Sequence, residues 1–536
     1  MSSASEALNP AAAAEAAPYR IFSDRRSLWA FWAGCAIVTT GVLLHLPMFW
    51  MARDMGFRLA GMPMDPGMIA GMGLIVLGIA VTGYGLLPRT AHPLHSHTAY
   101  VAVSPPEDAP LTLAHWSLMG VLVVALVVDV MKPASLGFVV PGMIKEYGVS
   151  KATVAWLPFS ALAGTVAGSV IWGVLADIYG RRASILLSAV MFVGTSICVA
   201  MPSLWWNVVM CFLMGAAAGG MLPIAYALLA EAMPSRHRGW CLVLVGGLGG
   251  VGGYLAASGA SALLQPFFGW RILWFLNLPT GLLLIALNGL IPESAKFLMA
   301  LGRVSDAQGV MRRFGSTVRA LAPDGVDDSV PHVQRAPPAM AYAAKTIALS
   351  ITGLSWSFVN FGLLLWLPND LVAHGYSMAL SSKLLAQSAI IALPTVLLTA
   401  LLYSRWSTKW SLVAMLAVTT AGLLWVFQLA NGHGAYSPVL PVALLVVGSN
   451  GVLAILLPYA AENYPTRVRG RATGWVAACS KGGGLVTQAL AVLAAVPGLG
   501  VAELAIATPN LLAMLLIAAF GAETRGRDLR DLEPGK

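Results

Sequence analysis

Three charged residues lie within long apolar runs of the sequence, where a charge is costly and usually serves a function. Asp129 and Lys132 fall in the run 113–141, and Lys481 falls in the run 471–496. Because Asp129 and Lys132 are three positions apart, they share one face of a helix. The two lysines predict a site for an anion, and Asp129 is the clearest acidic group for carrying a proton. Two alternatives remain open: a structural ion pair between Asp129 and Lys132, and a Lys481 ammonium that reaches a membrane surface.

The composition indicates a membrane protein. The chain has 536 residues, of which 58% are hydrophobic and only 10% are Asp, Glu, Lys or Arg. A soluble globular protein carries about 25% charged residues, so this chain could not cover a water-facing surface. A soluble enzyme, a disordered chain and a nucleic-acid-binding module are therefore excluded. The five cysteines lie in or beside apolar runs without CxxC spacing, which predicts buried thiols rather than disulfides or a metal cluster.

Runs of about 20 mostly apolar residues can cross a bilayer as helices. The sequence contains 14 such runs, which predicts an all-α polytopic membrane protein with about 14 spans. It lacks the glycine-rich phosphate loop of nucleotide-driven pumps, and we expect no cofactor. The runs lie near 28–50, 66–87, 113–141, 154–176, 183–201, 206–230, 240–263, 271–291, 344–367, 380–403, 411–430, 438–460, 471–496 and 503–521.

The distribution of Lys and Arg predicts the orientation of these spans. Cytoplasmic segments of membrane proteins are enriched in both residues. If the N-terminus is cytoplasmic, 24 of the 32 Lys and Arg fall on the cytoplasmic side and six on the opposite side. We therefore expect a multi-pass protein of the cell inner (plasma) membrane with both termini in the cytoplasm. The same distribution accounts for the net charge of +9 without a nucleic-acid partner.

The sequence repeats itself at one place in each half. Residues 230–239 read AEAMPSRHRG and residues 461–470 read AENYPTRVRG, 231 positions later. Each segment ends the fourth apolar run of a group of six, which indicates a duplicated six-helix unit. Two such halves are a known plan of secondary transporters, with the substrate site near mid-membrane between them. The repeat therefore favours a carrier over an enzyme or a receptor.

The predicted organisation follows from this repeat and from one hydrophilic stretch. We expect two six-helix halves, preceded by two extra N-terminal transmembrane helices that are separable from the other twelve. The stretch between the halves is basic and contains the Pro-rich segment QRAPP, which predicts a cytoplasmic linker. The segments are a cytoplasmic tail at 1–27, the extra helix pair and loop at 28–108, the N-terminal half at 109–291, the linker at 292–343, the C-terminal half at 344–521 and a cytoplasmic tail at 522–536.

Three short motifs resemble those of one transporter family. The segment GVLADIYGRR at 173–182 resembles the GxLaDrxGRR loop of the major facilitator superfamily. PESAKFL at 292–298 and ETRGRDL at 523–529 resemble its PESPRxL and ETkGrxL motifs. Together they resemble the branch that holds sugar porters, aromatic-acid/proton symporters and organic-ion transporters. The resemblance covers about residues 110–530 and leaves the extra helix pair outside.

The resemblance implies two six-helix halves of the major facilitator fold that open alternately to the two sides of a membrane. In its motif loops, ion pairs can form when the cytoplasmic side closes and break when it opens, and a static loop staple is the alternative. Asp177 is expected to cap a neighbouring helix start or to pair with Arg181 or Arg182. Glu231 is expected to pair with Arg236 and Arg238. The predicted gating residues are Asp177, Arg181, Arg182, Glu231, Arg236, Arg238, Glu462, Arg467 and Arg469.

The segment around Lys481 carries a further resemblance. Residues 474–483, GWVAACSKGG, resemble the GWaaavgRiGG pattern of organic-anion carriers, which implies that Lys481 meets the substrate's carboxylate. Two positions depart from the pattern of aromatic-acid symporters. Those proteins typically carry a second acid where this chain has Lys132, and an arginine linked to proton coupling where it has Cys211. We expect uptake of a small organic anion, a carboxylate or an aromatic acid, together with protons.

Further residues complete the predicted site, and other functions stay open. An exporter and a carrier of a neutral, sugar-like solute are alternatives. Seven methionines from Met48 to Met72 surround the first external loop. Because thioethers bind Cu(I), a transporter-like sensor or a copper-handling protein is another alternative, and hydrophobic packing explains the same residues. We expect a monomer in contact with membrane lipid, without a metal site. The predicted substrate-binding residues are Lys132, Lys481, Trp356, Asn360, Asn450 and Gln488.

Overall fold

The described part of the chain is almost entirely helical, which confirms the predicted all-α membrane class. Twelve helical segments within it are long and apolar enough to cross a membrane. Two further helices, at 466–492 and 499–520, lie at the last two predicted positions. The structure is a computed structural model that describes residues 24–87, 101–104, 110–301, 303–315, 317–320, 340–373, 375–430, 438–464, 466–495 and 499–525.

The described residues of the first part of the chain form twelve α-helices and three 3₁₀ turns. The 3₁₀ turns span Ala52–Met55, Thr195–Ala200 and Leu287–Leu290. The α-helices are α1 Arg25–Leu43, α2 Leu46–Met51, α3 Pro66–Leu86, α4 Leu113–Tyr147, α5 Lys151–Val154, α6 Trp156–Tyr179, α7 Arg181–Gly194, α8 Leu204–Ala218, α9 Met221–Ala232, α10 Ser235–Phe268, α11 Ile272–Phe275 and α12 Asn277–Ala286.

The second part contains nine α-helices and two π-helical stretches within the ranges that the structure describes. The π-helical stretches span Phe358–Leu364 and Leu402–Trp406. The α-helices are α13 Ala295–Ala300, α14 Val304–Phe314, α15 Met340–Ser357, α16 Leu367–Ala373, α17 Met378–Leu401, α18 Thr408–Ala430, α19 Val439–Asn463, α20 Thr466–Val492 and α21 Leu499–Phe520. The helices α13 and α14 fall in the predicted linker.

Small residues allow the helices to pack backbone against backbone. A side chain at Gly215 on α8 would collide with the backbone of Ala161 on α6, and one at Gly164 would collide with that of Phe212. Such close packing is how helices associate in lipid, where no hydrophobic force drives them together. Across the predicted halves, α10 packs on α17, and α20 packs on α6. These two contacts position the residues of the candidate site.

The extra helix pair, α1 and α3, docks on the N-terminal half. The two helices pack on each other and on α7, where the side chain of Ile75 lies against Gly194. Their connecting loop is held by Glu146, whose carboxylate accepts hydrogen bonds from the backbone N–H groups of Leu59 over 2.8 Å and Ala60 over 3.1 Å. The sequence sets this pair apart from the other helices, but the structure ties its loop to the end of α4.

Glu146 belongs to a buried ion pair at this end of the molecule. Its carboxylate lies 2.7 Å from the guanidinium of Arg271, and the side chains of Arg271 and Glu146 are 1% and 5% exposed. The Trp270 indole donates to the same carboxylate over 2.8 Å, and Arg271 donates to the Tyr147 hydroxyl over 2.9 Å. A buried carboxylate is costly unless several donors bind it. The loop of the helix pair supplies two of the donors that Glu146 needs.

Two short strands join the helix-pair segment to the linker. Strand β1, Val101–Ser104, pairs antiparallel with β2, Thr317–Ala320, so that Val101 faces Ala320. The sequence analysis predicts no strand at either place. The segment before α4 and the segment before α15 therefore meet, although the boundaries predicted for the domains stay predictions.

Candidate functional site

The ammonium group of Lys481 joins the two predicted halves. Lys481 lies on α20, 15 residues after the first residue of that helix. Its Nζ donates a hydrogen bond of 2.9 Å to the carbonyl oxygen of Gly219 and another to Oγ of Ser169. Ser169 is on α6, and Gly219 directly follows α8. A cation of the C-terminal half is therefore held by two oxygens of the N-terminal half.

The sequence explains why the Gly219 carbonyl is free to accept this cation. The residue four positions later is Pro223, which has no N–H group to continue the helical hydrogen bonds. The helix is accordingly interrupted between the end of α8 and the start of α9 at Met221. Carbonyl groups at the end of a helix carry the negative end of its dipole. Ser169 Oγ also donates to the Gly219 carbonyl over 2.7 Å, so the break forms a cradle of oxygens that suits an ammonium group.

Asp129 on α4 faces lysines of both halves. Lys481 and Lys132 both attract the charge of its carboxylate, and Lys481 exerts the larger attraction. Neither lysine lies within the 4.0 Å of an ion pair with Asp129 among the described residues. One oxygen, Oδ1, is buried without a hydrogen-bond partner in the described part of the chain. The spacing in the sequence points to Lys132 as the partner of Asp129, whereas the structure gives the larger role to Lys481.

Lys132 points into the packing of the N-terminal half. The residue is 1% exposed, and its Nζ lies 2.9 Å from the ring centroid of Phe192 on α7. An ammonium group over an aromatic ring is a favourable cation–π contact. Within the described chain its Nζ has no hydrogen-bond partner. The two ammonium groups therefore have different neighbours in this conformation, and contact of both lysines with one anion stays a prediction.

Three predicted site residues surround the π-helical stretch that follows α15. Gln488 on α20 donates to the backbone carbonyl of Phe361 over 2.6 Å and accepts from the Trp366 indole over 3.3 Å. The ring of Trp356 packs edge-on to that of Phe361, with centroids 5.7 Å apart. Asn360 lies within the stretch. A π-helical stretch displaces backbone groups from regular helical bonding and is frequent at functional sites, and here Gln488 satisfies one of those groups.

Asn450 lines a small cavity between the predicted halves. One wall comes from α10 and the others from α17 and α19, and the volume is about 210 Å³. The Asn450 amide donates to the carbonyl of Val446 over 2.8 Å. Only about 10 Å³ of this volume can hold the centre of a water molecule, roughly what a single water needs, so no substrate-sized cavity is open at this position in the present conformation.

Two predicted gating residues of the N-terminal half, Arg181 and Glu231, belong to a network at one end of the helices. Arg181, the first residue of α7, pairs with Glu231 on α9 over 2.7 Å, and Ser294 Oγ donates to Glu231 over 2.6 Å. Glu293 accepts from the Arg181 backbone N–H over 2.9 Å, so an acid faces a helix N-terminus. Burial raises the pKa of Glu293, although backbone N–H groups oppose the rise. Gly180 has a φ of 101°, and a side chain there would collide with Glu293, which explains this glycine.

A corresponding network joins the ends of helices in the C-terminal half. Glu462 on α19 accepts from Thr524 Oγ1 over 2.7 Å. Glu523 accepts from the backbone N–H of Thr408, the first residue of α18, over 3.0 Å, and from Ser407 Oγ. Burial alone would raise the pKa of Glu523, but the hydrogen bonds from Ser407, Thr408 and the backbone of Arg525 together lower it to about 2.

Each of the two networks contains the glutamate of one copy of the sequence repeat. Glu462 follows Glu231 by 231 positions, and each acid lies beside the next acid of its own network. The charged Arg181 pairs with Glu231, whereas Glu462 accepts from the neutral hydroxyl of Tyr403 over 2.7 Å. The two glutamates of the repeat therefore occupy equivalent positions. Among their described contacts, Glu231 forms an ion pair and Glu462 does not.

The pairing in the first motif loop differs from the prediction. Asp177 is exposed, and Arg181 pairs with Glu231 rather than with Asp177. Arg182 is buried, and its guanidinium donates to the side chain of Asn288 over 2.9 Å. The reason is that α6 continues past Asp177 to Tyr179 before the chain reverses, so the loop turns its arginines inward and leaves the aspartate outside.

The other predicted gating residues lie at the start of α10 and α20. Arg236 is exposed, and Arg238 attracts the charge of Glu462 across the two halves. The predictions for Arg467 and Arg469 fall outside the side chains that the structure describes. Among these predicted gating residues, Arg238 is one whose charge acts on the other predicted half.

Sequence reasoning missed an ion pair at the opposite end of the molecule. Lys151 at the start of α5 lies 2.9 Å from the carboxylate of Asp370 on α16, and its Nζ is 5.0 Å from the ring centroid of Trp366. The two charged residues are 219 positions apart, so no local motif signals their contact. This pair joins the predicted halves at the end away from the networks around Glu231 and Glu462.

Some methionines around the loop of the helix pair are buried, and others are exposed at the surface. Met48 and Met68 are buried in the helix pair, whereas Met51 and Met55 are 62% and 50% exposed. Among the described residues, no group of three His, Cys, Asp or Glu side chains is arranged to hold a metal ion. Hydrophobic packing accounts for the buried methionines.

Comparison with known proteins gives matches over most of the chain. The model of the Major Facilitator Superfamily matches residues 116–488. The niacin transporter NiaP of Acinetobacter baylyi is 24% identical over 442 residues, which cover 80% of this chain and 99% of that protein. The 4-hydroxybenzoate transporter PcaK of Pseudomonas putida is 27% identical over 409 residues, covering 71% and 86%. The proton:xylose symporter XylE, solved with 6-bromo-6-deoxy-D-glucose, matches with a TM-score of 0.62 at 18% identity over 78% of this chain and 98% of its own, which shows a shared fold.

Proposed function

This chain belongs to the Major Facilitator Superfamily, and we propose that it is a secondary transporter that carries a small organic anion, a carboxylate or an aromatic acid, by alternating access. Relatives over most of its length transport niacin, benzoate, 4-hydroxybenzoate and gallate according to their names. These compounds share a small ring that bears a carboxyl group. The proposal extends that class to the present chain.

The observation that carries this proposal is the position of Lys481. Its ammonium is held between the halves by neutral oxygens of Ser169 and Gly219. A substrate carboxylate is a stronger partner for an ammonium group than a hydroxyl or a carbonyl. The anion would therefore draw Lys481 from its resting cradle and occupy the interface between the halves. Trp356 and Asn360, beside the π-helical stretch, are the proposed contacts for the ring and its substituents, with Asn450 and Gln488 as further site residues.

We propose that protons are taken up with the anion through Asp129. In the resting state, Lys481 exerts the larger attraction on the carboxylate of Asp129. When Lys481 turns to the substrate, Asp129 loses part of this attraction and binds a proton more readily. Substrate and proton would then cross together. This assignment also gives Lys481 the role of counter-cation at a site where Cys211 replaces the arginine typical of related symporters.

The ion pairs at the two ends suit alternating access. Lys151 and Asp370 join the halves at one end, and Arg238 attracts Glu462 across the halves at the other. We propose that these contacts form and break in turn, while the networks around Glu231 and Glu523 hold each half together. The halves at 109–291 and 344–521 would move about the linker at 292–343, with the helix pair of 28–108 carried on the N-terminal half.

We further propose a monomer in the cell inner membrane with both termini in the cytoplasm. The excess of Lys and Arg on one side supports this orientation. The pairing of β1 with β2 brings together the segment before α4 and the linker, which supports a position of both on one side of the membrane. An exporter working in the reverse direction, or a carrier of neutral solutes, is distinguished by the experiment that follows.

The purified chain in proteoliposomes tests the proposal by counterflow. Vesicles loaded with unlabelled nicotinate, benzoate or 4-hydroxybenzoate should accumulate the labelled form of the same anion transiently. Nicotinamide and xylose serve as uncharged controls and should give little exchange. Exchange of xylose without exchange of any of the anions would contradict the proposed substrate class. Specific binding of an anion without any exchange would favour a sensor over a carrier.

A further inference from the structure

Lys132 is a buried cation that the proposed binding step does not use. It is 1% exposed, its Nζ lacks a hydrogen-bond partner among the described residues, and the contact given for that Nζ is the ring of Phe192. Burying an ammonium group without a hydrogen-bonding partner is costly. The cation–π contact offsets part of this cost. A cation kept in such a place points to a role that requires its charge.

The group that Lys132 can serve is Asp129, three positions earlier on the same face of α4. The charged groups that face Asp129 are Lys481 from α20 and Lys132 from its own helix. The titratable groups that face Lys132 are Asp129 and Cys198, which lies in the 3₁₀ turn after α7. Asp129 Oδ1 and Lys132 Nζ are both buried without hydrogen-bond partners in the described chain, so a change of side-chain rotamer could bring them together.

We propose that Lys132 is a positioning residue, the second counter-cation to which Asp129 turns when a bound anion draws Lys481 away. The inference rests on the proposed function, because it needs Lys481 to leave for the substrate. Asp129 then exchanges a lysine of the other half for a lysine of its own helix. The exchange releases the attraction between the halves, and Lys132 balances the charge of Asp129 until Asp129 takes up the proton. While Lys481 is bound to Ser169 and Gly219, the Lys132 ammonium stays over the ring of Phe192.

This arrangement sets the pH range of coupled uptake. A positive charge beside Asp129 favours its ionised form, so Lys132 makes the substrate-bound carrier harder to protonate. Removing the charge of Lys132 should move the pH of half-maximal uptake to higher pH. Removing the ring that competes for the ammonium should bring Lys132 closer to Asp129 and move the same midpoint to lower pH. Two substitutions at one contact therefore have opposite expected effects.

The test measures uptake driven by a pH gradient, together with anion exchange at equal pH, in proteoliposomes with labelled benzoate or whichever anion exchanges best. Lys132→Gln should raise the midpoint by about one pH unit, the lower end of the range for the effect of a nearby charge. Phe192→Leu should lower the midpoint, and Lys132→Arg should keep it near that of the unmodified chain. If Lys132→Gln does not fold, Phe192→Leu decides the matter.

Unchanged midpoints, or shifts of both variants in the same direction, would overturn the inference. A purely structural role of Lys132 would lower the yield or the thermal stability without moving the midpoint. If the unmodified chain exchanges anions and responds to a pH gradient while the variants leave the midpoint in place, this inference alone fails. If the unmodified chain exchanges no anion, the proposed function fails with it.

Discussion

Replacing Glu146 with Gln should destabilise the protein strongly, because it leaves Arg271 as a buried, unpaired charge. The two side chains are 5% and 1% exposed and lie 2.7 Å apart. Removing one partner of a buried ion pair costs about 3 to 5 kcal/mol. The glutamine amide can keep an acceptor for only some of the four donors that reach the carboxylate, from Leu59, Ala60, Trp270 and Arg271. We therefore expect a loss within that range.

Thermal and denaturant unfolding of the purified protein in detergent would measure this loss. Lys145→Gln, one residue earlier, removes a charge from an exposed position and should be close to neutral. A second measurement follows the loop of the helix pair: a cysteine at Arg58 should react faster with a membrane-impermeant thiol reagent in the Glu146→Gln background. A stability change below about 1 kcal/mol, the range of exposed ion pairs, would refute the claim that the core holds this loop.

Two further predictions concern the ends of the helices. Glu523→Gln should lower the melting temperature at neutral pH, and the gap to the unmodified protein should narrow as the pH falls from about 4.5 towards 2. The sign follows from the pKa of Glu523, which is lowered from 4.5 to about 2 in the folded protein. The ionised carboxylate therefore stabilises the fold above the pKa of the unfolded chain, and this stabilisation is lost on acidification. A gap that widens at low pH would contradict this. Cysteines at Lys151 and Asp370, joined by a bifunctional thiol reagent, should abolish exchange and recover it when a cleavable reagent is reduced, whereas undiminished exchange in the joined protein would show that these positions do not separate.

The positions of the repeated motifs could be predicted from the sequence, because each motif is local. Glu231 and Glu462 occupy equivalent places in the two networks, as their spacing of 231 residues indicates. Lys481 is likewise evident, since a lysine in an apolar run is rare and costly. Pro223 interrupts the helix and so frees the Gly219 carbonyl that accepts from Lys481. The proline is visible in the sequence, but its link to Lys481 can be recognised only when the packing of the helices is known.

The partners of these residues could not be predicted, because they depend on packing between distant segments. Helical spacing places Lys132 on the face of Asp129 but cannot show that its ammonium lies over Phe192. The pairing of Lys151 with Asp370 joins residues 219 positions apart. The docking of the helix pair likewise follows from a carboxylate on α4 that meets backbone N–H groups far from it in the sequence.

The most direct test of the central claim compares an anion with its uncharged amide in one variant. Counterflow of labelled nicotinate and nicotinamide would be measured for the unmodified protein, for Lys481→Ala and for Lys383→Ala, an exposed lysine on α17 that serves as the control. Loss of a buried charge partner costs about 2 kcal/mol or more, which corresponds to a roughly thirtyfold fall in kcat/KM for the anion. We expect Lys481→Ala to show this fall for nicotinate and little change for nicotinamide, so that the preference for the charged substrate disappears. If Lys481→Ala keeps the preference of the unmodified protein for nicotinate, Lys481 is not the residue that binds the anion, and the account is contradicted.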